Sequence, residues 1–190
     1  TDAGVHAKCQ CAHFDTSKKV TWKDISHINK LLNGEIVINK LKRVSSDFHA
    51  RHDVKRKTYV YKINTGKYKN AYEGYYYQIK YNLDIKKMKK ASKCFVGVHD
   101  YKNFVSGYRD DYESVIYKIK INKFGNILIL KFVGAGFYRY MVRHLVGALV
   151  DVGKGKTDVS TISMMIDNKE FIKKLSVVPA CGLYLTDIKY

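Results

Sequence analysis

The sequence predicts an α+β fold, an antiparallel mixed sheet flanked by helices. Two observations carry this expectation. Strand-like and helix-like segments are mixed in both halves of the chain. The clearest strand pair is a hairpin, in which residues 114–122 and 127–133 flank the turn Phe124-Gly125-Asn126. A doubly wound parallel sheet would instead alternate single strands with crossover helices. The chain has 190 residues, 46% hydrophobic and 27% charged, which suffices for one core or for two small subdomains sharing a sheet.

Each element has a local reason. Residues 1–6 read as a loop and residues 7–14 as a short strand. Thr21 caps a helix over residues 22–32, where Trp22, Ile25, Ile28 and Leu32 recur at helical spacing, and Asn33-Gly34 ends it. Residues 36–44 alternate apolar and polar and read as a strand. Residues 56–64, rich in Tyr and Val, read as another. Residues 67–74 are polar and loop-like, and a strand is expected around residues 75–80. A second part begins near Asn82. There a helix over residues 84–95 sets Ile85, Met88, Ala91 and Phe95 on one face and lysines on the other. Gly134-Ala135-Gly136 breaks the hairpin's second strand. The strongest helical stretch follows, residues 137–152, ended by Gly153. Helical pieces over residues 159–166 and 169–175 and a closing strand over residues 183–190 complete the set. The chain is thus read as an N-terminal subdomain, residues 1–81, and a C-terminal subdomain, residues 82–190.

Charge gives the first functional indication. Lys and Arg total 35 against 17 for Asp and Glu, a net charge of +18. A lysine-rich codon bias should raise Glu as well, yet only Glu35, Glu73, Glu113 and Glu170 occur. A positive field of this kind attracts phosphate backbones through counterion release. No apolar run approaches the roughly 18 residues of a membrane span. The four cysteines, Cys9, Cys11, Cys94 and Cys181, form no C-x-x-C pair and fit a reducing cytoplasm. Cys9, Cys11 and His13 would share one strand face, but their spacing is not that of a four-ligand zinc site.

Asp2 lies in the opening run Thr1-Asp2-Ala3-Gly4-Val5-His6-Ala7. Composition alone makes it a turn aspartate. Five further segments change its weight: Asp47-Phe48-His49-Ala50-Arg51; Arg56-Lys57-Thr58-Tyr59-Val60-Tyr61; Gly97-Val98-His99-Asp100-Tyr101 with Phe104; Gly134-Ala135-Gly136-Phe137 followed by Met141-Val142-Arg143 and Gly147; and Pro179-Ala180-Cys181-Gly182-Leu183-Tyr184-Leu185. In this order, over essentially the whole chain, they resemble the motifs of TruA-type tRNA pseudouridine synthases. One such segment is weak, whereas six in order are specific. The family pattern places an arginine before Thr1 and, ahead of it, a strand and helix that complete the first subdomain. The sequence is therefore read as N-terminally truncated. It also carries Asn33-Gly34-Glu35 where relatives often have a proline.

The resemblance implies two similar subdomains around a central cleft and isomerisation of uridine to pseudouridine in the anticodon stem-loop of tRNA, at positions 38–40. That reaction breaks the N1–C1′ bond, turns the uracil and joins C5 to C1′. The base must leave its stack, and an ionised carboxylate must act at the sugar, as nucleophile at C1′ or as base at C2′. The resemblance assigns the carboxylate to Asp2 and its partner to Arg143, on the same helix face as Arg139. Tyr59 would stack on the extruded base, and Leu183 and Leu185 would wall its pocket. His6, His49, Arg51 and Arg139 are possible RNA contacts, and the three besides Arg139 read equally as structural hydrogen-bonding residues. Gly134-x-Gly136 could admit a phosphate at a helix start or serve close packing. No cofactor or metal is implied. The expected partners are tRNA and a second copy in a homodimer, with no membrane. The competing readings are a non-catalytic RNA-binding module with the synthase fold and, more distantly, a metal-dependent hydrolase built on Cys9, Cys11 and His13.

Overall fold

The computed structural model describes residues 1–68, 73–167 and 174–190. The chain divides into two compact units, one of Thr1–Gln10 with Val54–Tyr190 and one of Cys11–Asp53.

The larger unit is built on one sheet. Its strands are β1 (His6–Ala7), β2 (Arg56–Asn64), β3 (Tyr77–Gln78), β4 (Gly97–Asp100), β5 (Glu113–Phe124), β6 (Ile127–Gly134) and β7 (Leu183–Lys189). They lie in the order β1-β7-β2-β6-β5-β4, with β3 beside β2. Among the described residues the long pairings are antiparallel, and only the two-residue strands β1 and β3 pair in parallel. The fold class read from the sequence is therefore present. The sheet also runs through both expected subdomains, because β2 pairs with β6 and β7.

Alternation decides which residues meet. Tyr61 sits opposite Leu130 on one side and Leu183 on the other, so their side chains share a face. On that face Tyr61, Ile63, Leu128, Leu130 and Phe132 are fully buried. The long helix α3 (Met141–Gly153) covers them, with Leu145, Val146, Leu149, Val150 and Val152 all buried. Each such side chain contributes roughly 1.5–3 kcal/mol. Two other helices, α2 (Ile85–Ser92) and α4 (Val159–Asp167), complete the layer. Asp84 caps α2 through the Lys87 amide, at 2.9 Å. A Cβ added at Gly153 would meet the Met88 sulfur at 2.8 Å, so α2 and α3 touch almost backbone to side chain. The approach at Gly147 is tighter, since a Cβ there would lie 1.6 Å from the Ser176 carbonyl oxygen. The same Ser176 donates its N–H and hydroxyl to Asp151 of α3, at 2.8 and 2.9 Å.

The smaller unit contains α1 (Trp22–Leu31). Thr21 and Asp24 form a capping box: the Asp24 amide donates to Thr21 Oγ1, and the Thr21 amide donates to Asp24 Oδ2 at 2.8 Å. The Thr21 hydroxyl, donating to Asp24 Oδ2 at 2.6 Å, and then the Thr21 amide hold the Asp24 carboxyl below its usual range.

Several expected elements differ. The strand expected over residues 7–14 is reduced to β1, because the chain leaves the larger unit after Gln10. Residues 36–44 alternate but form no strand. The Asn29 side chain takes up both backbone groups of Ile38, at 2.7 and 2.9 Å, in place of a partner strand. The strand expected near residues 75–80 is only β3. The strand β4 was not anticipated. Residues 93–95 form a 3₁₀ turn after α2 instead of prolonging it. The long helix starts at Met141, four residues late, because Tyr140 is left-handed with φ 60°. The helical piece expected from residue 169 falls largely outside the described residues. Among the described residues, no helix is long and apolar enough to cross a membrane.

Candidate active site

The opening loop is shaped by its own backbone. The Val5 amide donates to the Asp2 carbonyl at 3.1 Å, closing a turn over Asp2-Ala3-Gly4-Val5. Gly4 occupies the third position at φ 77°, a conformation open to glycine at little cost. A Cβ at Gly4 would come 3.3 Å from that of Ala180, so the turn rests on the 3₁₀ turn Ala180–Gly182 that leads into β7.

Arg143 approaches this loop from the first turn of α3. Its Nε donates to the Val178 carbonyl at 2.8 Å, and its guanidinium lies 4.4 Å from the Tyr140 ring centroid. Its Nη1 is 3.9 Å from Asp2 Oδ2. Both side chains are mostly covered, at 16% and 20% exposure. A planar guanidinium held by a carbonyl and a ring keeps one direction free, and that direction faces the carboxylate. Among the described residues the Asp2 carboxylate has no other partner. The left-handed Tyr140 that aims this start of α3 carries strain of about 1–2 kcal/mol.

Asp2 opens onto a cavity of about 200 Å³ whose walls include Lys57, Tyr59, Phe137, Tyr138, Arg139 and Leu183. That is less than a drug-sized ligand needs and suits a single planar group. Tyr59 meets Phe137 edge to face at 5.3 Å between centroids. Burial first, and then the negative charge of Asp2, push the Tyr59 phenol up to about 12. It therefore carries its proton at neutral pH and can donate it in a hydrogen bond. A wider depression, about 660 Å³, lies beside Lys55, Arg56, Lys118 and Lys189, but among the described residues no carboxylate lines it.

The structure thus gathers Asp2, Arg143, Tyr59, Leu183 and Arg139. Leu185 is a correction: it is 2% exposed, pairs with Tyr59 across the ladder, and does not line the cavity. Arg139 is a second correction. It precedes α3 instead of sharing a helix face with Arg143, and its guanidinium lies 5.1 Å from the Tyr140 ring. His6 stacks between Tyr75 and Tyr184, at 5.1 and 4.7 Å, with Nε2 3.3 Å from the Gly74 carbonyl. His49 and Arg51 belong to the smaller unit, where His49 Nδ1 accepts the amides of Arg51 and His52. Gly134-x-Gly136 does not open a helix. A Cβ at Gly134 would meet the Val115 carbonyl at 2.7 Å, which is the close-packing role. Among the described residues no three His, Cys, Asp or Glu side chains are grouped to hold a metal, and Cys9 lies in a different unit from Cys11 and His13. Sequence reasoning passed over Lys57, Tyr138 and Tyr140. The signal for the tyrosines was available, since they flank Arg139 just before the Met141-Val142-Arg143 run.

Comparison with known proteins agrees with this geometry. A family model described as tRNA pseudouridine synthase matches residues 91–190. A Bacillus cereus tRNA pseudouridine synthase A 1 is 37% identical over 196 aligned residues, covering 100% of this chain and 78% of the relative. The Bacillus licheniformis tRNA pseudouridine synthase A is 36% identical with the same coverage. That of Limosilactobacillus reuteri is 34% identical, over 100% of this chain and 77% of the relative. The paired Asp2 and Arg143 therefore stand in a chain whose likeness to these proteins extends from end to end, and the chain belongs to the tRNA pseudouridine synthase family.

Proposed function

We propose that this protein isomerises uridine to pseudouridine in the anticodon arm of tRNA, with Asp2 acting at the ribose of an extruded uridine. The observation that carries this reading is one cavity that collects Asp2, Tyr59 and Leu183 from three distant segments, with Arg143 paired to Asp2 at 3.9 Å. The names of the relatives and the net charge of +18 support tRNA as the substrate.

The residues divide the work. The uracil enters between the Tyr59 ring and Leu183, which replace part of the stacking lost on extrusion. Asp2 then reaches the sugar carbon that the base leaves, or the proton beside it. Arg143 fixes the direction of the carboxylate. Once the glycosidic bond breaks, the uracil turns in the cavity and C5 bonds to C1′. The hydrogen on C5 leaves as a proton and N1 takes one up, and any bond from Asp2 to C1′ breaks as C5 bonds there, so atoms and charge balance with no change of oxidation state. Lys57 and Arg139 at the mouth suit the backbone phosphates. The protein is further read as a cytoplasmic homodimer, with residues 1–81 and 82–190 as its two related subdomains.

Release of labelled hydrogen from C5 of uridine in tRNA tests the reaction directly. Wild-type protein should release it with or without chelator, and Asp2→Asn should not. Tight tRNA binding without hydrogen release from wild-type protein would leave an RNA-binding module instead. Light scattering at micromolar concentration tests the dimer, since a monomer mass would refute it.

A further inference from the structure

The loop between the 3₁₀ turn Lys102–Phe104 and β5 is tied to the cavity wall more firmly than a solvated connection requires. The Ser106 amide donates to the Arg139 carbonyl at 3.1 Å, and Ser106 Oγ lies 2.9 Å from His144 Nε2. Gly107, at φ 93°, lets the chain turn outward. The Arg109 amide then donates to the Tyr112 hydroxyl at 2.9 Å, and the Tyr101 amide closes the loop onto the Tyr112 carbonyl at 3.0 Å. The Arg109 guanidinium lies 4.6 Å from the centroid of the Tyr138 ring, and Tyr138 is itself a wall of the cavity.

Beside this anchored arginine stands Tyr108. At 90% exposure it is the most exposed large apolar side chain among the described residues. Among them Arg109 forms no ion pair, and the neighbouring Asp111 directs its carboxylate to the Glu113 amide, at 2.8 Å. A held loop therefore presents one bare aromatic face and one guanidinium beside the cavity that takes the base. Extruding a nucleotide leaves its neighbour without a stacking partner, and a protein ring can supply one at any sequence.

Resting on the reading above, we propose that Tyr108 and Arg109 form a second nucleotide subsite, in which the Tyr108 ring stacks on the base adjacent to the target uridine and Arg109 holds the phosphate between them. Because an aromatic face does not discriminate among bases, the subsite recognises an unstacked single-stranded neighbour, whatever its identity.

Binding is best read in an Asp2→Asn background, with an anticodon stem-loop RNA that is not turned over, across 50–200 mM salt. Tyr108→Ala should raise Kd about 10-fold, and Tyr108→Phe should restore it. Arg109→Ala should lower the slope of log Kd against log salt by about 0.7, the value of one single-strand phosphate contact. Both side chains are exposed, so melting temperatures should match the parent. An unchanged Kd in Tyr108→Ala, or an unchanged salt slope in Arg109→Ala, would each overturn the subsite. Failure of the parent reaction would appear separately, as no C5 hydrogen release from protein that retains Asp2.

Discussion

Two aspartates lie near opposite ends of α3, and their surroundings differ in kind. Asp151, near the C-terminal end, is 5% exposed and accepts two hydrogen bonds from Ser176. Asp2, facing the N-terminal end, has among the described residues one long ion-pair contact, to a guanidinium, and opens onto a cavity. The first carboxylate has its oxygens occupied by neutral donors that pin a segment to the helix. The second is oriented but leaves its oxygens available. Burial alone would pick Asp151 as the special residue. Counting what remains unengaged picks Asp2, because chemistry at the sugar needs an oxygen free to approach it.

The sharpest way to break the comparison is to neutralise each aspartate in turn. Asp2→Asn should lower turnover by roughly 10⁴-fold, about 5.5 kcal/mol of barrier, while its denaturant midpoint stays at the wild-type value. Measured together, C5 hydrogen release and urea unfolding should separate the two effects. Next in size is Gly147→Ala, whose Cβ would drive into the Ser176 carbonyl. It should destabilise the fold by about 3 kcal/mol or more, read as a fall in midpoint or as insoluble expression. Asp151→Asn should follow at about 2 kcal/mol, because an amide nitrogen facing the Ser176 donors leaves a buried group unpaired. Its turnover per folded molecule should match wild type, and a loss of several hundred-fold would erase the distinction between the two aspartates.

The smallest expected effect is acid sensitivity at His144, beside Arg143. Burial first, and the charge of Arg143 second, lower its pKa below 6.5. The folded protein therefore holds this imidazole neutral. Its contribution is present above about pH 6.5 and is lost as pH falls through the lowered value, because the unfolded chain takes up the proton first. His144→Gln keeps a partner for Ser106 but cannot titrate. Its melting temperature should fall less than that of wild type between pH 7.5 and 5.5.

Legibility in the sequence followed the range of the interactions. Elements set by local pattern were readable: the Thr21 cap, the lysine-backed helix α2 and the Tyr- and Val-rich β2 all lie close to where spacing puts them. Residues 36–44 show the limit, since alternation fits a strand only where another strand offers its backbone, and here the Asn29 side chain intervenes. At the site, Asp2 was visible only through its motif, because a turn aspartate and a catalytic one have the same local sequence. Leu183 and Leu185 were indistinguishable by alternation, as both point to one face. The difference is how far along β7 the cavity reaches, which is a tertiary fact. The left-handed Tyr140 was hidden for the same reason, since only the neighbouring packing holds a bulky residue there.

That joint has a practical side. A protein engineer scoring this chain for heat tolerance would flag Tyr140 first, since asparagine or glycine would relieve the backbone where tyrosine strains it. Accepting the swap would strip Arg143 of the ring it leans on, trading catalytic competence for shelf life.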